Sequence, residues 1–217
     1  FSFPAEYLQI LKEEQVEETD ELPAALKGKT PGQLAKMYAD AQALIGTNVL
    51  GTYHVAKFAR AWGARLVYLS THGVYAGERG GYAEWEAGAP VGAYAASKLA
   101  GEAFVLELAH DTLVVRGSWY DAARLATWAQ YGALTDAWGS RERVEDAARK
   151  LARLVRGGAT GIYNIGGPRR TFAEICRDEG YEPQWTLERE MLDDSGTLPY
   201  LFPRDTSVST AKYDAWR

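Results

Sequence analysis

The chain has 217 residues, of which 47% are hydrophobic and 24% charged, and its formal net charge at pH 7 is −5. This length suits one hydrophobic core, or a main domain with a small lobe, and disfavours two equal independent domains. Basic and acidic residues are mixed along the chain, which argues against nucleic-acid binding. No apolar run approaches the roughly 20 residues of a membrane helix. The single Cys176 excludes an intrachain disulfide and fits a reducing cytoplasm.

The first part of the chain predicts helices only. Residues 6–28 are acidic and give a weak helical pattern. From Pro31 to Trp62 apolar residues recur at spacings of three to five, which predicts one or two helices ending at Gly63. Because residue 1 is phenylalanine rather than methionine, we expect further residues upstream of it.

Strands and helices alternate after Gly63. Short apolar runs predict buried strands, and longer periodic segments predict helices. The predicted strands are 65–70, 112–116 and 161–165, and the predicted helices are 92–110 and 145–156. Thr171 is an N-cap candidate for one more short helix, which a polar tail follows. This order is typical of right-handed crossover units in a parallel sheet, so we predict an α/β fold.

Tyr94-Ala-Ala-Ser-Lys98 is the sharpest chemical feature, near the start of the predicted helix 92–110. A spacing of four puts both side chains on one helical face, about 5 to 6 Å apart at Cβ. An ammonium beside a phenol favours the phenolate, so we expect Lys98 to lower the pKa of Tyr94 toward the range useful for proton transfer. The same spacing also arises by chance on exposed helices.

Hydroxyl groups follow the first predicted strand. Ser70 and Thr71 come at its carboxyl end, where open α/β sheets bind ligands, and the loop before Tyr94 returns to this edge. His54, His72 and His110 show no metal-ligand spacing, so we expect no metal site.

Several segments occur in an order that resembles the dTDP-4-dehydrorhamnose reductases and related sugar-nucleotide enzymes, a branch of the extended short-chain dehydrogenase/reductase superfamily. The segments are NVLGT, LSTHGVYAG, YAASKLAGE, RGSWYD, GIYNIGG and PRDTSVST. The resemblance runs from about Asp40 to the C-terminus. It implies a Rossmann-like parallel sheet over residues 1–167 and a small substrate-binding lobe over 168–217, to which part of 121–142 contributes.

The resemblance also implies roles for single residues. Tyr94 matches the general acid that protonates the sugar C4 oxygen, and it is also an expected cofactor contact. Lys98 matches the lysine that lowers the pKa of the phenol and binds the nicotinamide ribose. Thr71 matches the hydroxyl that hydrogen-bonds the reacting carbonyl, and Ser70 is the less favoured donor and a cofactor contact.

Three further residues are candidates for contacts with substrate. His72 either contacts substrate or is a loop histidine without a role. Trp119, in an R-x-S-W turn that argues mildly for reduction, either packs on sugar or nicotinamide or is a core residue. Arg204 either faces the nucleotide pyrophosphate or forms a surface salt bridge.

One element of the superfamily is missing from this sequence. No G-x-x-G-x-x-G or G-x-G-x-x-G phosphate loop occurs before Asn48, and neither does the apolar strand expected there. The predicted sheet is therefore incomplete at its N-terminal side. Three explanations stay open: segments are omitted from the sequence, the protein is naturally shortened, or a partner supplies the missing half.

The leading hypothesis from the sequence is a cytoplasmic reductase that uses NADP or NAD and acts on the 4-keto group of a deoxy-sugar nucleotide. A sugar-nucleotide epimerase or dehydratase is the alternative among enzymes. A regulatory or structural protein that has lost cofactor binding on the same fold is the alternative outside them. The expected partner is the nucleotide-sugar substrate, and a homodimer stays open.

Overall fold

The computed structural model describes residues 30–130, 132–187 and 203–216. The chain divides into two units, Phe1–Tyr38 and Ala39–Arg217. In the first unit the described residues, 30–38, contain the beginning of helix α1 (Pro31–Leu44). The weak helical pattern at 6–28 lies outside the described residues.

The helices predicted before Gly63 are present. α1 is followed by a π-helical segment (Ile45–Gly51) and by helix α2 (Thr52–Trp62). Gly63 ends α2 with φ of +61°, a left-handed conformation that glycine adopts without strain.

The centre of the fold is a parallel sheet in the strand order β1-β2-β7. Its strands are β1 (Leu66–Thr71), β2 (Thr112–Gly117) and β7 (Gly161–Ile165). The register pairs Thr71 with Gly117 and Gly117 with Ile165, so the three carboxyl ends lie level at one edge. Within the described residues β1 pairs only with β2. The predicted α/β fold with a parallel sheet is confirmed.

Side chains cover both faces of the sheet, as the continuous apolar run of β2 predicts. Val114 packs with Tyr68 and Val105 of helix α3 (Ala93–Leu108) on one face. Leu113 and Val115 pack on the opposite face, against Leu154 of helix α5 (Val144–Arg156). This helix has acidic residues in its first turn and arginines in its last, which suits the helix dipole.

The remaining elements are short. They are helices α4 (Ala122–Ala129), α6 (Phe172–Asp178) and α7 (Ala211–Asp214) and three two-residue strand pairs. These pairs are β3 (Trp119–Tyr120) with β6 (Glu142–Arg143), β4 (Ala133–Leu134) with β9 (Thr186–Leu187), and β5 (Trp138–Gly139) with β8 (Arg170–Thr171). Thr171 caps α6 as predicted, in a reciprocal capping box with Glu174.

A second core joins the segment after β2 to α6. Leu125 and Ala133 pack there with Ile175 and the buried thiol of Cys176. By contrast, Tyr213 of α7 packs into the core beside Leu113. None of the described helices combines the length and apolar character needed to cross a membrane.

Candidate active site at the carboxyl edge of the sheet

The carboxyl ends of β1 and β2 form the floor of the site. Thr71 and Gly117 are register partners there. The indole of Trp119 lies against Gly117, so closely that a Cβ atom on that glycine would stand 2.5 Å from the ring. Trp119 is 37% exposed, so an aromatic surface lies at the rim beside the strand that ends in Thr71.

Helix α3 carries Tyr94 and Lys98 on one face at its amino-terminal end. The Tyr94 side chain is 49% exposed. The Lys98 Nζ atom lies 4.1 Å from the ring centroid of Tyr68, whose hydroxyl donates to the Lys98 carbonyl at 3.2 Å. Burial lowers the pKa of Lys98, and the Glu102 carboxylate opposes this shift. Burial, with smaller contributions from Glu102 and Tyr94, raises the pKa of Tyr68 to about 12.

Thr71 lies against the first turn of the same helix. Its Oγ1 accepts a hydrogen bond of 3.2 Å from the Gly73 amide and caps the single 3-10 turn His72–Val74. Ala95, the neighbour of Tyr94, contacts this turn closely, since a Cβ atom on Gly73 would stand 3.3 Å from its methyl group. The structure therefore places the first turn of α3, which carries Tyr94, beside the turn that follows Thr71, and it places Lys98 one helical turn further along, over the Tyr68 ring of the same strand.

A hydrogen-bonded chain holds the first turn of α3 in place. Asn48, in the π-helical segment, donates from Nδ2 to Ser97 Oγ at 3.0 Å, and Ser97 donates to the Tyr94 carbonyl at 2.7 Å. A Cβ atom on Gly101 would stand 2.3 Å from the Tyr68 hydroxyl and 2.7 Å from the Asn48 carbonyl, so only glycine fits there. No site role was predicted for Asn48 or Ser97, although Asn48 opens the NVLGT segment.

Ser70 faces the interior of the fold. Its side chain is buried, and its hydroxyl donates to the carboxylate of Glu102. Glu102 forms a buried ion pair with Arg116, with 2.7 Å between Oε2 and Nη2. This position does not present the Ser70 hydroxyl at the rim, where the expected cofactor contact would form.

His72 is also directed inward, although it follows Thr71 directly. Its imidazole is 1% exposed and lies with Nε2 3.0 Å from the Ile165 carbonyl oxygen. Burial lowers the pKa of His72 to about 4, so the ring is neutral at pH 7. The expected contact of His72 with substrate finds no support in this placement.

The buried histidine gives a testable pH dependence. The pKa of His72 falls from its ordinary value of 6.5 to about 4 on folding, so the unfolded state binds more protons between these values. The stability it contributes is complete above the ordinary value and is lost as pH falls toward about 4, by about 3 kcal/mol. Urea unfolding of the wild type and His72→Gln across this range measures the effect. Equal pH slopes in the two proteins would contradict it.

Arg204 lies on the segment that follows β9 in the described chain. Its side chain is exposed, and its carbonyl accepts a 2.8 Å hydrogen bond from the Trp138 amide. The next residue, Asp205, is buried and pairs with Arg169 at 2.6 Å. Arg204 is therefore anchored through its backbone beside β5, with its guanidinium toward solvent.

A family model and curated relatives match this chain. Residues 33–128 match the model of the RmlD substrate binding domain. The chain is 34% identical over 158 residues to a dTDP-4-dehydrorhamnose reductase of Mycobacterium tuberculosis (strain ATCC 25618 / H37Rv). The aligned residues make up 60% of this chain and 52% of the relative. It is 33% identical over 127 residues to a dTDP-4-keto-6-deoxy-D-glucose reductase of Streptomyces niveus. Here the aligned residues make up 52% of this chain and 44% of the relative.

Solved structures agree on the fold. A dTDP-4-dehydrorhamnose reductase from Bacillus anthracis, solved in complex with NADP, superposes with a TM-score of 0.69 at 24% identity, over 78% of this chain and 66% of that one. These matches confirm the resemblance to dTDP-4-dehydrorhamnose reductases and the Rossmann-like sheet. The chain spans about half the length of the curated relatives it matches.

Proposed function

We propose that this chain carries the catalytic residues of an NAD(P)H-dependent reductase that acts on the 4-keto group of a deoxy-sugar nucleotide. One observation carries the proposal: the first turn of α3, which carries Tyr94, packs on the turn after Thr71 at the carboxyl edge of a parallel sheet, where such sheets bind ligands, and Lys98 follows one helical turn later. The names of the relatives from Mycobacterium tuberculosis and Streptomyces niveus support this choice of reaction.

The proposed roles follow from position and exposure. The Tyr94 hydroxyl gives its proton to the C4 oxygen of the substrate, and Thr71 donates a hydrogen bond to the same oxygen as negative charge develops. NADH or NADPH, when bound, supplies the hydride that converts the carbonyl carbon to that of an alcohol. Because Tyr94 is 49% exposed, water can return the lost proton to its phenolate. Trp119, partly exposed beside Gly117, is the proposed apolar contact for the sugar ring.

The described residues fit one end of the cofactor. Lys98 is partly buried on the same face of α3 as Tyr94, one helical turn away, and its ammonium is the proposed contact for a ribose hydroxyl of the cofactor. No glycine-rich phosphate loop occurs in the 217 residues, so the proposal assigns no backbone contact to the pyrophosphate. Arg204, exposed beside β5, is the proposed charged contact for the nucleotide.

The proposal extends to the setting of the enzyme. A reducing cytoplasm fits the single buried Cys176. A homodimer fits the exposed aromatic side chains of Phe58 and Trp62 on α2, which are 57% and 79% exposed. The expected division of the chain, at residues 167 and 168, is retained as part of the proposal.

Cofactor binding tests the proposal directly. We expect NADH or NADPH to quench the tryptophan fluorescence of the protein and raise its melting temperature, and we expect reduced nicotinamide to be consumed when a 4-keto-6-deoxy sugar nucleotide is added. Lys98→Met should weaken binding, whereas Lys57→Met, which removes an exposed charge on α2, should not. Absence of both binding and turnover with either cofactor would instead favour the non-catalytic alternative.

A further inference from the structure

Arg141 lies in the turn between β5 and β6, with its side chain partly buried. A Cβ atom on Gly139 would stand 3.3 Å from its Nη1, and its Cζ lies 6.0 Å from the centroid of the Phe172 ring. Burial lowers the pKa of this arginine, which means that its surroundings disfavour the charged form. The guanidinium is thus held among glycine backbone and an aromatic ring.

Two acidic residues, one next to Arg141 in the chain and one in the segment that pairs with β5, have other partners. Glu142 pairs with Lys150, and Asp205 pairs with Arg169 at 2.6 Å. Within residues 30–130, 132–187 and 203–216, the Arg141 side chain forms no ion pair and donates no hydrogen bond. A partly buried cation without a counter-ion carries a desolvation cost that an incoming anion would offset.

The position of Arg141 relates it to the carboxyl edge of the sheet. A Cβ atom on Gly166 would stand 2.5 Å from the Ser140 carbonyl oxygen and 3.1 Å from His72 Cε1, so the backbone that precedes Arg141 lies beside His72. The preceding Ser140 carbonyl accepts from the Gly167 amide at 3.1 Å, just beyond the end of β7. An anion that binds Arg141 would therefore lie at the same edge as Thr71.

We propose that Arg141 binds the anionic oxygens of a sugar nucleotide and determines specificity for that charge. The planar guanidinium suits both phosphate and carboxylate oxygens, so the anion is either the diphosphate or a carboxylate on the sugar. The inference rests on the proposed function only in taking a sugar nucleotide as ligand.

Calorimetric titration of the full chain tests the inference without turnover. The probes are dTDP, dTMP, UDP-glucose and UDP-glucuronate, and the variants are Arg141→Gln, Arg141→Lys and the control Arg149→Gln, which alters an exposed arginine of α5. We expect Arg141→Gln to lose affinity by about tenfold or more, Arg141→Lys to lose less, and the control to be unchanged. If Arg141 contacts the diphosphate, Arg141→Gln abolishes the preference of the wild type for dTDP over dTMP. If Arg141 contacts a sugar carboxylate, the same variant abolishes the preference for UDP-glucuronate over UDP-glucose.

Three results would overturn the inference: equal affinities in wild type and Arg141→Gln, no binding of any probe to the wild type, or a lower melting temperature of ligand-free Arg141→Gln. The last would mean that another part of the chain already neutralises Arg141. If dTDP binds in an Arg141-dependent manner but no keto sugar is reduced, the proposed function fails and the inference stands.

Discussion

Replacing Tyr94 by phenylalanine is expected to abolish measurable reduction of a keto sugar nucleotide. The change removes only the hydroxyl that is proposed to protonate the substrate oxygen, and general acids contribute about 10²- to 10⁴-fold to rate. Tyr94 is 49% exposed, and its hydroxyl forms no hydrogen bond within the described chain, so folding should be unaffected. The measurements are kcat, KM and the cofactor dissociation constant for wild type and variant.

The control for this experiment is Tyr53→Phe. Tyr53 lies on α2, where its ring packs edge-on against Phe104 of α3, so the same atom is removed from a tyrosine outside the proposed site. We expect a normal kcat in the control and unchanged cofactor binding in both variants. A normal kcat in Tyr94→Phe would show that another group supplies the proton.

The central sheet could be predicted from the sequence because each strand carries a local pattern. The strands at 66–71, 112–117 and 161–165 differ from the predicted limits by at most one residue at either end. Each is a short apolar run next to glycine or polar residues, and such a run is buried wherever helices cover both faces. The end of α2 at Gly63 could also be predicted from a local feature, because glycine adopts the left-handed conformation of this position without strain.

The short strand pairs could not be predicted. Two residues such as Trp138 and Gly139 contain no periodicity, and their partners in β8 lie about thirty positions away in the chain. The π-helical segment has the same apolar spacing as the α-helices on either side of it. Its consequence, the bond from Asn48 to Ser97, depends on how α3 packs and not on either local pattern.

The candidate site was predicted in part, for a geometric reason. Tyr94 and Lys98 are related by helical spacing, which can be read directly from the chain. Ser70 and His72 adjoin Thr71 in sequence, but successive side chains of a strand point to opposite faces, and a tight turn follows. Both side chains are therefore buried, at 4% and 1% exposure, although their neighbour reaches the rim.

The buried pair of Glu102 and Arg116 connects the site to the stability of the fold. Arg116 also donates to the Tyr75 hydroxyl at 2.9 Å, and Tyr75 donates to Asn164 Oδ1 at 2.9 Å. Together with the bond from Ser70 to Glu102, these contacts join all three strands of the sheet to α3. The sequence marked Arg116 only as part of an R-x-S-W turn and gave no role to Glu102.

Arg116→Met is accordingly expected to lower the free energy of unfolding by about 3 to 5 kcal/mol, because it leaves the Glu102 carboxylate buried without a counter-charge. The two side chains are 5% and 2% exposed, so water cannot replace the lost partner. Urea unfolding measures the effect.

The double variant Glu102→Leu, Arg116→Met should be more stable than Arg116→Met alone, since both charges are then removed. Asp146→Asn, which breaks an exposed pair on α5, should cost less than about 1 kcal/mol. A similarly small cost for Arg116→Met would mean that the buried pair does not hold the sheet and α3 together.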